Sequence, residues 1–159
     1  MLEKLEKEIF IQILDKTLER NKELQRVGDN DRINICVQNS EMIDFDIEEV
    51  LKEWIKQYND INLLVFDTPK LTRYDIDHFE ENMTKPTILF LKNYGDYVYE
   101  SDLFYLRERF RTLIKDCGWG ATCKPIDNFV FAIVTTTSAK PLTDMGDRIC
   151  FRHLNRFIN

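Results

Sequence analysis

Histidine is scarce in this chain: His78 and His153 are the only two in 159 residues. The four cysteines, Cys36, Cys117, Cys123 and Cys150, form no C-x-x-C pair, although Cys117 and Cys123 flank the loop GWGAT. A structural zinc site needs four nitrogen or sulfur ligands at close spacing, so this inventory argues against one. No metal or other cofactor is expected. Neither histidine has a nucleophile or carboxylate partner fixed by spacing, which argues against a Ser-His or Cys-His catalytic site. Long apolar runs are missing too. None approaches the roughly 18–20 residues that span a bilayer. The opening MLEKLEKEIF mixes acids with bases where a signal peptide carries an unbroken apolar core. No membrane partner is expected, and a reducing, cytoplasmic setting fits best. Basic charge is in deficit as well: 22 Lys and Arg stand against 28 Asp and Glu, a formal charge of −6. Phosphate backbones are held mainly by Lys and Arg, so nucleic acid is not expected as the main ligand. Arg107, Arg109, Arg111 and Lys115 form a local basic run, but its spacing spreads the arginines around a helix and reads as solvated surface.

What is present is ordinary for a globular α/β protein: 43% hydrophobic and 31% charged residues, with no internal repeat. The length fits one compact domain. Residues 1–30 read as an N-terminal amphipathic helical region, with Leu2, Leu5, Ile9, Ile13, Leu14, Leu18, Leu24 and Val27 along one stripe. Gly28-Asp29-Asn30-Asp31 stops it. Residues 31–159 read as an α/β core. Apolar strands are predicted at Ile33–Val37, Ile61–Phe66, Thr87–Leu91 and Phe129–Val134, with a short fifth at Arg148–Arg152. Most are apolar on both faces, as buried parallel strands are. Cys36 and Cys150 fall inside strands, where free cysteine behaves as a small hydrophobe. Helices are predicted from about Asp46 for a dozen residues, at Asp75–Asn82, and at Asp102–Cys117. This alternation predicts a three-layer fold with a mostly parallel, five-stranded sheet, and ligands of such sheets bind at the strands' carboxyl ends.

The residues at those ends carry the functional argument. After the first strand comes QNSEMIDF, Gln38 to Phe45, and then a helix. A phosphate-binding loop would read G-x-x-x-x-G-K-[ST] there, its backbone N–H groups and Lys holding the phosphates. Gln38 and Ile43 stand at the glycine positions, Asp44 at the Lys and Phe45 at the hydroxyl. An ordinary strand-to-helix connection is the plainer reading, with Ser40, Asp44 or Asp46 as helix N-cap. After the third strand, ILFLKNYGD has Lys92 and Asn93 in succession. After the fourth, VFAIVTTTSAKPL has Thr137, and DMGDRICF follows with Arg148.

In their order and spacing these features resemble the AAA+ ATPase core from about Asp31 onward, a P-loop-NTPase-like fold. The resemblance makes Lys92 and Asn93 counterparts of the magnesium-holding Asp and water-polarising Glu of the Walker B strand. Thr137 corresponds to the polar sensor-1 residue, and Arg148 is the nearest counterpart of an arginine finger. A cation repels magnesium, and Asn cannot act as a base. The small helical lid of the family has no counterpart before Asn159. The expectation is therefore a catalytically inactive AAA+-like domain that serves as a protein-binding or scaffold subunit. Its partner would be an active ATPase of the same class or a second copy of itself. The rival expectation is a small nucleotide-binding α/β enzyme with an unorthodox phosphate site. Tyr94, Tyr97, Tyr99, Phe104 and Tyr105 form an aromatic cluster that suits either core packing or a protein contact, and Trp119 is a further candidate anchor. Asp67, beside Thr68-Pro69, suits a turn or a metal.

Overall fold

A computed structural model describes residues 5–29, 32–94, 128–137 and 150–154 of the chain. The first helix, α1, runs over Lys7–Arg26. Its stripe buries Phe10, Ile13, Leu14 and Leu18. It ends on Gly28, whose φ of 79° is the left-handed conformation that glycine adopts without penalty. The Gly28 N–H donates to the Gln25 carbonyl and the Asp29 N–H to the Leu24 carbonyl, a Schellman closure of the last turn. Asn21, one turn earlier, is buried and reaches the next element. Its amide donates 2.9 Å to the Ile33 carbonyl and its oxygen accepts from the Ile33 N–H at 2.8 Å.

Ile33 opens β1 (Ile33–Gln38), followed by a 3₁₀ turn at Ser40–Met42 and α2 (Ile47–Ile55). Then come β2 (Asn62–Asp67), α3 (Arg73–His78), a 3₁₀ turn at Phe79–Asn82 and β3 (Thr87–Lys92). Next is β4 (Phe129–Thr136). The sheet order β2-β3-β4-β1 is parallel throughout. The backbone of β5 (Cys150–Leu154) pairs in parallel with the remaining side of β1. It overlaps the short strand predicted at Arg148–Arg152, of which residues 148 and 149 lie outside the described residues.

The chain thus steps from β1 to the far edge, returns through β3 and β4, and leaves β1 flanked by β4 and β5. Ile35, Val37, Ile88, Phe90, Phe131 and Ile133 point to one face, against Phe10, Leu14 and Leu18 of α1 and Val50, Leu51 and Trp54 of α2. The alternate residues Cys36, Leu89, Leu91, Ala132 and Val134 are fully buried as well. Burial on both faces explains the unbroken apolar runs, and each large side chain contributes roughly 1.5–3 kcal/mol relative to exposure. The helical region before residue 31 belongs to this same core, since Phe10 and Leu14 are completely enclosed. No helix among the described residues is long and apolar enough to cross a membrane.

Candidate functional site

Parallel pairing brings the carboxyl ends of four strands into one row. Asp67 is the register partner of Lys92, and Gln38 is the partner of Thr136. The loop after β1, the Lys92-Asn93 step and Thr137 therefore share one edge of the sheet. Asp44, in that loop, is exposed.

Side chains stitch this edge together. The Thr68 hydroxyl donates 2.7 Å to the Lys92 carbonyl, tying the end of β2 to β3. Asn93 has a φ of 57°, a left-handed conformation that Asn tolerates better than most residues. The turn lets its backbone N–H donate to the Thr135 hydroxyl at 3.1 Å, while its side-chain amide donates to Asp67 at 3.0 Å. The next N–H, of Tyr94, donates to the Thr135 carbonyl at 2.7 Å. Asp67 also has Lys70 at 3.5 Å. It makes no side-chain cap for the following turn. Its carboxylate instead receives the Asn93 amide.

Lys92 reaches across the edge to α2. Its ammonium donates to Glu48 at 2.6 Å, and the other oxygen of the same carboxylate takes Lys52 at 2.7 Å. Hydrogen bonds from Lys52 and then Lys92 hold the Glu48 carboxyl below its usual range. The bond to Glu48, aided by the charges of Asp67 and Asp46, holds the Lys92 ammonium above its usual range against some desolvation. The start of α2 is closed in the same manner. Asp46 is the N-cap, accepting from the Glu49 N–H at 3.2 Å, and Glu48 and Glu49 occupy the first turn. The positive end of a helix dipole attracts anions. Here the protein's own carboxylates meet it.

The loop itself is anchored by packing. Ile43 and Phe45 lie against the apolar core, and the Phe45 ring sits 5.7 Å from that of Phe10 in α1. Gln38 is buried, and Asn39 after it takes a φ of 57°. The Met42 and Ile43 N–H groups donate to the Asn39 and Ser40 carbonyls. Two of the loop's backbone donors are thus spent within the turn. A groove of about 920 Å³ opens beside the loop, with Ile11, Phe45, Val50 and Trp54 in its lining. It lies on the helical side of Asp46, and its lining does not include Lys92 or Asn93.

Of the residues singled out in the sequence, Gln38, Ile43, Asp44, Phe45, Lys92, Asn93 and Thr137 fall at this edge or its adjoining loop. Tyr94 is fully buried, which assigns it to core packing and removes it from an exposed aromatic patch. Tyr97, Tyr99, Trp119 and Arg148 lie outside the described residues. Cys36 is buried, and desolvation pushes its thiol up to about 12, so it is a packing residue. Among the described residues no group of three His, Cys, Asp or Glu is arranged to hold a metal ion. Sequence reasoning missed Glu48 and Thr135. A half-buried lysine at a strand end demands a counter-ion, and the acidic first turn of α2 was the place to seek it.

No protein-family model matches the chain, and no curated protein matches its sequence.

Proposed function

We propose that this chain is a catalytically inactive AAA+-like domain that acts as a protein-binding or scaffold subunit. The observation that carries the reading is that the polar groups at the strand ends are bonded to one another. Lys92 is bonded to Glu48, Asn93 to Asp67, and the Asp46 carboxylate to the first turn of α2. An ATPase of this class needs its phosphate loop, sensor and acid pair to line one crevice. A sheet with β4 between β1 and β3 supports the comparison, because it sets the counterparts of all three side by side. The chemistry then runs the other way. Carboxylates meet the helix N-terminus where phosphates would bind, and an ammonium stands where a divalent cation would.

What remains useful in such a frame is its shape. The partner on this reading is an active ATPase of the same class or a second copy of the chain. Arg148 is the candidate to reach across such an interface, and Tyr97, Tyr99 and Trp119 are the candidate anchors. Calorimetric titration with ATP and with ADP, each with magnesium, is expected to give no heat of binding at micromolar concentrations. Clear micromolar binding would overturn the reading in favour of a small nucleotide-binding enzyme. For the contact surface, replacing Tyr97 and Tyr99 with Ala is expected to abolish co-purification of the partner at unchanged melting temperature.

A further inference from the structure

We propose that the Glu48–Lys92 pair is a ligand-independent latch, in which the tethered Lys92 ammonium is the resident cation of the strand-end edge and holds residues 39–49 against the sheet. The inference rests on the inactive-domain reading for its meaning, since it describes how the strand-end edge is held by the protein's own groups.

Four observations converge on it. The pair joins residues 44 positions apart, from the first turn of α2 and the last residue of β3, at 2.6 Å. The two side chains are 36% and 23% exposed, so solvent screens the contact only in part. The ammonium stands among acids, with Asp67 directly opposite in the sheet register and the Asp46 cap two residues before Glu48. Lastly, the anchors of the loop are of two kinds. Ile43 and Phe45 fasten its middle to α1 through apolar contact, while the ion pair fastens the helix start to the sheet. Asn93 and Thr135 rigidify the strand end from which Lys92 projects. The cation therefore acts from a fixed platform on the start of α2.

Local opening is read by amide hydrogen exchange on the full chain. The amides of Met42, Ile43, Glu49 and Val50 are natural reporters, because each donates within this segment. In Lys92→Met, exchange across residues 39–49 is expected to accelerate by about tenfold or more, while amides of Ile88–Phe90 and Phe131–Ile133 keep their native rates. Lys92→Arg, which preserves the cation, is expected to stay near the native rate. The double variant Glu48→Gln with Lys92→Met is expected to be no faster than the single ones. Unchanged exchange in Lys92→Met, or equal acceleration in the β3 and β4 strands, would overturn the latch. Should Lys92→Met fail to fold, Glu48→Gln supplies the same comparison. A nucleotide titration of the native protein separates the two ideas: binding there sinks the inactive-domain reading and leaves the exchange result to judge the latch.

Discussion

Single polar side chains decide how this apolar sheet is joined. Asn34 sits fully buried in β1 and its side-chain oxygen accepts from the Ala132 N–H at 2.8 Å, just before regular pairing with β4 begins at Ile35. Replacing it with Leu leaves that strand N–H without its acceptor. Asn34→Leu is expected to cost about 1–3 kcal/mol in urea unfolding despite the added apolar surface. Glu48 and Lys92 give the residue scale a pH signature. The Glu48 carboxyl is held below its ordinary 4.5, so its contribution is complete above that value and is lost as pH falls through the lower folded value. Lys92 is held above its ordinary 10.5, so its contribution is complete below that value and is lost as pH rises through the higher folded value. Stability followed by denaturant titration should therefore fall off at both ends of the scale. Lys92→Met should flatten the alkaline fall and weaken the acid one, measured against the native profile.

At the scale of elements, the segment from Gln38 to Trp54 shows the same physics in larger form. The helix signal was plain in the sequence, with Ile47, Val50, Leu51 and Trp54 on one face, and all four are buried. Its cap was open among three oxygens, and the structure selects Asp46. Removing that cap by Asp46→Ala should cost about 1 kcal/mol and lower the melting temperature by a few degrees, read by circular dichroism. The far end of α2 is fixed by contacts that no local pattern reveals. Asp15 of α1 accepts from the Trp54 indole N–H at 2.8 Å and from the Tyr58 hydroxyl at 3.2 Å. These join residues about forty positions apart, and periodicity reports which face is apolar without reporting what meets it. The helix itself is shorter than the pattern suggests, nine residues against an expected dozen.

For the whole molecule, alternating helices and apolar runs were enough to predict an α/β fold with a parallel sheet. They could not order the strands, because most runs are apolar on both faces and offer no local preference for a neighbour. The order decides which loops meet, and hence whether a functional reading has any physical basis. With β4 between β1 and β3, the loop at 38–45, Lys92-Asn93 and Thr137 reach one edge. Any ligand that binds only the folded form raises the melting temperature. A thermal scan of the native chain with millimolar ATP and magnesium should superimpose on the scan without them. A rise of several degrees would count against the inactive-domain reading at the level of the intact protein.

The residue types at the strand ends are read from the sequence alone: no glycine or lysine in QNSEMIDF, and a cation at Lys92, which together motivate the expectation of no ordinary phosphate chemistry. Those are matters of identity, and identity is local. Which partner each group takes is a matter of distance in space. Only the folded sheet could bring Glu48 to Lys92 and Asp67 to Asn93, bury Tyr94, and turn a loop that lacked a motif into an edge closed by its own charges.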